Sequence, residues 1–431
     1  MVQWNKAFKC ALLATALVGA STCASWAKTT VTFFYPVQVG GPLTQVIDGY
    51  VADFEKAYPD IDIEAVYSGN YWDTTTKALT ADKSGKPPTT AVLLATDIFT
   101  FIDEDAVQPI DDFIKTDDDK KWVDGFMPAY LASARVDGHL WAIPFQRSTA
   151  VMYYNKKAFK EAGLDPEKYP ATWDEMVEFG KAVVKKDASG RVTRWGVGIP
   201  GNVGSSSWLF GALANQNGAV LMNDAGDKTD LTNPAVVEAL QFWVDMNVKH
   251  GIHPPGLLEW GTTPSDFLEE RIAMIWTTTG NLTHLRNNAK FEFGLAPYPG
   301  KVRAGSVLGG GNFYIFKKAS DEEKKAAFEF IKFMTSDELL ADWAIKTGYV
   351  APRDGSWETD AMKAYVKEVP DAAVARDQIP TSVPEFSTHE NALATKVLSD
   401  ALAAALTGQK TPEKALEDGQ NELERILKPY R

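Results

Sequence analysis

Cysteine is nearly absent from this chain, since only Cys10 and Cys23 occur and both lie close to the N-terminus. The remainder of the sequence therefore lacks the residues for a disulfide, a catalytic thiolate or a cysteine zinc site. Histidine is also scarce, with five residues among 431. His250 and His253 are three positions apart, but they flank Gly251 and have no third candidate ligand beside them, so we expect no metal site.

A membrane-spanning helix needs about 18 consecutive apolar residues, and the sequence has no apolar run of that length. The apolar run at 11–20 is shorter, follows Lys6 and Lys9, and precedes small residues, as in a secretory signal peptide. We predict that residues 1–27 form this signal, that cleavage occurs near Ala27, and that the mature protein lies in the periplasm. Lipid attachment at Cys23 is an alternative that the sequence leaves open.

Basic residues are outnumbered, with 44 lysines and arginines against 57 aspartates and glutamates. Removing the predicted signal deletes Lys6 and Lys9 and no acidic residue, so the net charge changes from −13 to −15. An acidic surface repels nucleic acids and anionic lipids at long range. We therefore expect no nucleic-acid partner, although one small anion could bind in a local pocket.

Strand-like and helix-like segments alternate along the chain. The 404 residues that follow the predicted signal exceed what one hydrophobic core usually supports, so we expect two lobes. Alternation of strands and helices predicts an α/β fold with largely parallel sheets. The predicted strands are 31–35, 61–67, 89–95, 194–199, 272–276 and 312–316, and the predicted helices include 43–58, 173–184, 234–249 and 320–333.

Polar, glycine-rich turns stand at the ends of several predicted strands, where ligands collect in open α/β sheets. In 144–164, four polar residues, 146–149, directly precede an apolar run, which indicates that the chain there meets a ligand or solvent. Trp208 follows a Gly/Ser turn and Trp276 ends a strand, so both could stack on the apolar face of a sugar or polyol. Burial in the core is the open alternative for both tryptophans.

Patterns typical of enzymes are weak. The segment 196–201 matches a dinucleotide-binding fingerprint only in its letters, because Pro200 stands where a helix should begin. Glu269 and Glu270 are adjacent and point to different faces of a helix, which does not suit a glycosidase pair. A secreted hydrolase remains a remote alternative.

Several motifs are similar to those of the periplasmic solute-binding proteins of sugar-type ABC importers, extracellular solute-binding protein family 1. The segments are "SGNYWDTTTKAL", "STAVMYYNKKAFKEAGL", "AMIWTTTGNL", "VLGGGNFYIF" and "KTGYVAP". The resemblance implies a non-enzymatic, cofactor-free monomer that binds a solute between two lobes and delivers it to a membrane permease with a cytoplasmic ATPase. The motifs resemble most closely the branch that binds glycerol-3-phosphate, which implies that solute or a related glycerophosphodiester or polyol phosphate, with a neutral sugar, oligosaccharide or polyol as the alternative.

The implied fold is the maltose-binding-protein-like arrangement, in which hinge segments join two α/β lobes on either side of a ligand cleft. We expect the N-terminal lobe to contain 28–145 and about 300–350. The C-terminal lobe would contain about 146–299 and 351–431.

The resemblance also implies ligand-binding residues, position by position. These are Tyr71, Ser148, Thr278, Gly310 and Tyr349. Two departures put the solute in doubt. The glutamate that holds glycerol hydroxyls in the resembled branch aligns with Ala95, with Asp97 nearby, and the phosphate-binding arginine aligns with Ser387. Arg147 could supply a cation instead, or it could pair with a carboxylate at the boundary between the lobes.

Overall fold

The computed structural model describes residues 28–431. The predicted signal peptide, its cleavage site near Ala27 and Cys23 lie outside the described residues. The strands are β1 Thr29–Tyr35, β2 Ile61–Tyr67, β3 Thr90–Leu94, β4 Val107–Gln108, β5 Arg135–Val136, β6 His139–Leu140, β7 Ile143–Asn155, β8 Lys185–Lys186, β9 Val192–Gly198, β10 Ile272–Thr278, β11 Phe293–Ala296, β12 Ser306–Phe316 and β13 Ser382–Val383.

Helices follow most of these strands, as the alternating pattern predicts. They are α1 Leu43–Ala57, α2 Tyr71–Lys83, α3 Ile98–Asp103, α4 Asp117–Asp124, α5 Pro128–Ala132, α6 Lys156–Glu161, α7 Trp173–Val183, α8 Ser205–Gln216, α9 Pro234–Val248, α10 Thr263–Leu268, α11 Leu282–Asn288, α12 Asp321–Met334, α13 Asp337–Thr347, α14 Asp354–Glu358, α15 Asp360–Glu368, α16 Val374–Asp377, α17 Asn391–Leu406 and α18 Pro412–Leu427. Within 28–431, none of them is long and apolar enough to cross a membrane.

Side-chain caps fix several helix starts where the sequence predicts them. Ser320 accepts a hydrogen bond from the backbone N–H of Glu323, and the Glu323 side chain bonds back to the backbone of Ser320. This reciprocal pair satisfies two N–H groups that have no partner within the helix, so α12 begins at Asp321. At α9, Asn233 caps the first turn and Pro234 supplies a backbone angle already suited to a helix.

The sheet is mixed, which corrects the expectation of largely parallel sheets. Its strand order is β2-β1-β3-β12-β7-β10-β9-β8, with β11 also on β7 and with β4 and β13 also on β12. Strand β1 is parallel to β2 and β3, and β9 is parallel to β10. The two long central strands, β7 and β12, run antiparallel to each other and to β10 and β3 respectively. The antiparallel pairs therefore join two parallel sheets.

Two large hydrophobic cores lie on the two sides of this junction. The first core takes its buried residues from Val31 to Phe145 and from Leu308 to Ile379. The second core takes its residues from Ala150 to Val307 and from Phe386 to Leu427. Strand β7 leaves one core after Phe145 and enters the other at Ala150.

The first core draws mainly on the ranges predicted for the N-terminal lobe. Trp357 and Met362 also belong to this core, although they follow the predicted boundary near residue 350. The exact division into lobes stays a prediction.

Candidate functional site

A cavity of about 370 Å³, here the central cavity, lies between the two cores. Both cores contribute to its wall, as do residues of the connecting strands. The lining residues are Gln38, Asn70, Tyr71, Trp72, Leu94, Thr96, Ser148, Asn202, Val203, Gly204, Ser205, Ser207, Trp208, Trp260, Gly261, Thr278, Gly310, Tyr349, Glu385, Phe386, Asn391 and Thr395. Six of the nine predicted site residues are among them.

Strand β7 sends its polar residues to opposite sides because successive side chains in a strand alternate. Ser148 lines the central cavity, and the amide of Gln146 accepts a hydrogen bond from the Tyr71 hydroxyl at 2.8 Å. Arg147, which lies between them, does not line this cavity. The four polar residues are therefore buried at the crossing between cores, with relative exposures of 4% or less.

Hydroxyl groups form one wall of the central cavity. Tyr71 and Tyr349 are both buried and belong to the first core. Burial raises the pKa of Tyr71 well above its ordinary value, and the neighbouring Tyr349 raises it further. Burial likewise raises the pKa of Tyr349. Both phenols therefore stay protonated at neutral pH. The Tyr71 O–H already donates to Gln146, so its oxygen can accept from a ligand hydroxyl, whereas Tyr349 keeps a proton that it can donate to a ligand oxygen.

Gly310 holds β12 close to β7 in this wall. Its φ of +105° is one that residues with a Cβ rarely adopt, and a Cβ there would overlap the carbonyl oxygen of Gln146. Its own carbonyl accepts a hydrogen bond from Arg147 at 3.2 Å. Gly310 therefore lets β12 and β7 approach closely at the cavity, and its contact with a ligand stays a prediction.

Three tryptophans also line the central cavity. Trp208 donates from Nε1 to the carbonyl of Leu308 at 2.8 Å, and its ring meets that of Trp260 edge to face at 5.7 Å. Trp260 in turn reaches across the cavity mouth, where its Nε1 donates to the carbonyl of Gln38 at 3.4 Å. Trp72 also lines the cavity, at the start of α2. These indole faces are suited to stacking on sugar rings or packing around alkyl groups.

Glu385 is the single carboxylate that lines the central cavity within the described residues. The residue is partly exposed to the cavity, yet its Oε2 atom is inaccessible to water and has no hydrogen-bond partner among residues 28–431. Burial raises the pKa of Glu385 to about 8, with Arg147 opposing the rise and Asp97 adding to it. A glutamate of this kind is largely protonated at neutral pH.

A second cavity of about 380 Å³, here the side cavity, shares Thr96, Glu385 and Phe386 with the central cavity. Its other lining residues are mostly apolar, such as Leu221. Arg147 also lines the side cavity.

The guanidinium of Arg147 donates to Asn312 Oδ1 at 3.0 Å and lies 5.0 Å above the centre of the Tyr130 ring. Burial removes the guanidinium from water, which lowers the pKa of Arg147. The sequence leaves two roles open for Arg147, contact with the ligand and pairing with a carboxylate. In the structure Arg147 does not line the central cavity and has no carboxylate in direct contact. A ligand contact by Arg147 stays a prediction without support from the cavity lining.

Two other predicted site residues lie behind the wall. Trp276 is fully buried in the second core and stacks on Tyr298 at 3.9 Å, so it takes the core alternative. It lies on the same face of β10 as Thr278 but two positions deeper. Asp97 is buried beside the cavity, where its carboxylate accepts from Thr75 at 3.0 Å and from Asn391 at 2.8 Å. Burial raises the pKa of Asp97 to about 6, while those two hydrogen bonds lower it.

Neither of the two positions that depart from the resembled branch holds a cationic residue. Ala95 is buried and lines the side cavity. Ser387 donates from its hydroxyl to the carbonyl of Thr96 at 2.9 Å. No lysine or arginine lines the central cavity in the described part of the chain.

Metal binding finds no support in residues 28–431, where no group of three or more candidate ligands comes together. The buried His253 uses Nε2 to accept from the N–H of Ile199 at 3.1 Å, and its Nδ1 lies 2.7 Å from the carbonyl of Pro254. Its role is therefore structural.

The sequence analysis missed several lining residues, above all Glu385, Trp72, Trp260 and Asn202. Glu385 had a local signal, because it is the single charged residue in the otherwise uncharged run 378–388. Trp260 had none, since its approach to Trp208 depends on the packing of distant loops.

Comparison with known proteins identifies the class. Residues 49–370, more than half of the chain, match the family described as bacterial extracellular solute-binding protein. The chain therefore belongs to this family. It is 28% identical over 420 residues to the sn-glycerol-3-phosphate-binding periplasmic protein UgpB of Yersinia pseudotuberculosis, and the match covers 94% of this chain and 93% of that protein.

Solved structures with low sequence identity share the fold. UgpB from Mycobacterium tuberculosis in complex with glycerophosphocholine has a TM-score of 0.82 at 23% identity, with 93% of this chain and 99% of that chain covered. Maltose-bound MalE3 from T. maritima has a TM-score of 0.77 at 23% identity, with 92% and 100% covered. The predicted two-lobed, maltose-binding-protein-like fold is confirmed. The chain is a solute-binding protein of the ABC-importer type, and the relatives named here are likewise described as binding proteins.

Proposed function

We propose that this protein captures a neutral, hydroxyl-rich solute, such as a sugar or polyol, in the central cavity and delivers it to the membrane permease of an ABC importer. It acts as a monomer in the periplasm after removal of residues 1–27. It carries no cofactor and changes no covalent bond of its solute.

The charge of the central cavity carries this proposal. Its lining contains no lysine or arginine within 28–431, and its one acidic side chain, Glu385, supplies no positive charge to a phosphate. A charge-assisted hydrogen bond contributes roughly 1.5–3 kcal/mol, so a phosphate without a cation would forgo several such bonds. The phosphorylated solute that the motifs predict therefore has less support than the neutral alternative.

The size of the central cavity and the chemistry of its lining residues are suited to a sugar or polyol. The cavity volume of about 370 Å³ is at the lower end of the range for small-molecule sites. Tyr71, Ser148 and Tyr349 offer hydroxyl groups to the cavity, and Trp208 and Trp260 offer indole rings. Sugars present hydroxyl groups at their rim and C–H groups on their faces, and this wall pairs with both.

A zwitterionic glycerophosphodiester is the second candidate. Trp72, Trp208 and Trp260 line one cavity, and aromatic rings attract a quaternary ammonium group through their electron-rich faces. The solved structure of the M. tuberculosis relative contains glycerophosphocholine. Glycerophosphocholine has no net charge, so it requires the cation less than glycerol-3-phosphate does.

Contacts between the two cores also support a closing motion around the solute. Ser387 bonds to Thr96, and Trp260 bonds to Gln38, so both pairs bridge residues on opposite sides of the cavity. We infer that the lobes close on the solute by a hinge motion. Small-angle scattering should then show a smaller radius of gyration when solute is added.

Isothermal titration calorimetry tests the solute class directly. The panel is D-glucose, maltose, trehalose, D-mannitol, glycerol-3-phosphate and glycerophosphocholine. We expect a neutral sugar or polyol to bind with a Kd of about 1–10 µM, which corresponds to roughly 8 kcal/mol, and to be recovered unchanged. Tight binding of glycerol-3-phosphate alone would contradict the proposal, and release of a hydrolysis product would favour the hydrolase alternative.

A further inference from the structure

We propose that Glu385 selects the solute: its carboxylate accepts hydrogen bonds from two neighbouring hydroxyl groups of a neutral solute, and a proton leaves the protein as they bind. This inference rests on the proposed function and names the residue that determines its specificity. Neither the motifs nor the residues carried over from the resembled branch point to Glu385.

The position of Glu385 is the first argument. It stands in the wall that the central and side cavities share, directly after β13. Its Oε2 atom is inaccessible to water and has no hydrogen-bond partner within 28–431. An ionised carboxyl group with one oxygen buried and unsatisfied is costly unless its other oxygen gains donors. Glu385 is partly exposed and lines the central cavity, so a bound solute can supply those donors there.

The surrounding charges are the second argument. Arg147 in β7 lowers the pKa of Glu385, and Asp97 after β3 raises it, but burial dominates and holds it at about 8. Tyr71 in α2 also senses the Glu385 charge. Arg135 and Asp224 are the other charged residues that line the side cavity. Without solute, the carboxyl is therefore mostly protonated at pH 7.

Solute binding reverses this balance. Hydroxyl groups that donate to a carboxylate stabilise its ionised form and lower its pKa. The proton that leaves Glu385 passes to the buffer, and the carboxylate then accepts from two neighbouring solute hydroxyls through the oxygen that is open to the cavity. A fully ionised phosphate group has no such donors and would be repelled by the carboxylate, so Glu385 favours a solute that places hydroxyl groups against it over one that places a phosphate there.

The test uses titration calorimetry at pH 7 with the tightest-binding member among D-glucose, maltose, trehalose and D-mannitol. Running it in phosphate and in Tris, which differ in ionisation enthalpy, counts the protons exchanged. We expect the unaltered protein to release about 0.5–0.9 proton per solute and to bind threefold to tenfold more tightly for each pH unit gained between 6 and 8. This proton count does not depend on any variant folding correctly.

The variant Glu385→Gln keeps the shape of the side chain but cannot ionise. We expect it to bind the same sugar at least tenfold more weakly, to release no proton and to lose the pH dependence. Glu178→Gln is the matched control, because Glu178 is an exposed glutamate on α7, and it should behave as the unaltered protein.

The outcomes separate the two proposals. Tight sugar binding without proton release, or with an unchanged Kd in Glu385→Gln, overturns the role of Glu385 and leaves the proposed function intact. Binding of glycerol-3-phosphate and of none of the four neutral compounds overturns the proposed function. A panel in which nothing binds overturns both.

Discussion

The central and side cavities are almost equal in volume, at about 370 and 380 Å³, but they differ in the charges that line them. Arg135, Arg147 and Asp224 line the side cavity, whereas Glu385 is the one acidic residue among 28–431 that lines both cavities. Residues that are adjacent in sequence, such as Arg147 and Ser148, therefore serve different cavities. The comparison teaches that strand alternation decides the polarity of a site as strongly as composition does.

The separation of the two cavities depends on the close approach of β12 to β7 at Gly310. We expect the largest loss of stability from a substitution there. Gly310→Ala should destabilise the protein by roughly 3–5 kcal/mol, because it combines backbone strain with an overlap on the Gln146 carbonyl. Chemical denaturation followed by fluorescence measures the change. Gly49→Ala is the control, since Gly49 is exposed within α1 with open space around it, and it should stabilise slightly. An equal and small effect at both glycines would show that the close approach of the strands is not needed.

Two tryptophans sharpen the contrast between wall and core. Trp276→Ala should cost about 3–5 kcal/mol of folding free energy, because Trp276 is fully buried and stacked on Tyr298. Trp208→Ala should cost less stability and weaken solute binding by at least about tenfold, since its ring lines the central cavity. Thermal denaturation and calorimetry of both variants separate the effects. Unchanged solute binding in Trp208→Ala would remove the tryptophan from the proposed site.

Local sequence patterns were sufficient for much of the fold. The helix predicted at 173–184 is α7, and the predicted strand at 61–67 is β2, because helical and alternating spacing reflect which face is buried. The antiparallel junction of β7 and β12 could not be predicted this way. These strands lie more than 150 residues apart, and nothing local in either strand determines its direction relative to a distant partner.

Site residues could be predicted where motifs mark the ends of strands. They could not be predicted where the role of a residue depends on how deeply it is buried. Tyr71, Ser148, Thr278, Gly310 and Tyr349 come together around one cavity, although their role in binding stays a prediction. Trp276 and Thr278 share a face of β10, and only the packing of Tyr298 shows that the tryptophan is the deeper of the two. Glu385 required the same three-dimensional knowledge, because its raised pKa depends on burial and on the distant groups Arg147 and Asp97.

Protonation of Glu385 gives a third prediction, on stability without solute. Its pKa is raised from 4.5 to about 8 by folding, so the folded protein binds more protons than the unfolded chain between these values. The contribution of Glu385 to the free energy of unfolding is therefore fully present below pH 4.5. It decreases as the pH rises, by up to about 1.4 kcal/mol per pH unit. Denaturation between pH 6.5 and 8 should therefore show a loss of up to about 2 kcal/mol. This window lies above the pKa of about 6 for Asp97, the other acid with a raised pKa beside the cavity.

The variant Glu385→Gln isolates this contribution. It should lose the decline over that pH range, and above pH 8 it should be at least as stable as the unaltered protein. A decline that persists in Glu385→Gln would assign the effect to another group and would weaken the case that this carboxyl is protonated in the folded state.

The smallest expected effect concerns Arg147. Arg147→Met should change the Kd for a neutral sugar by less than about threefold, because the guanidinium lies on the side-cavity face of β7 and is held by Gly310, Asn312 and Tyr130. The measurement is calorimetry on protein whose circular dichroism shows it to be folded. Removing the cation also removes the one charge that lowers the pKa of Glu385, so the pH at which sugar affinity rises should move upward. A tenfold or greater loss of sugar affinity at high and low pH alike would place Arg147 in contact with the solute and would undo the separation of the two cavities.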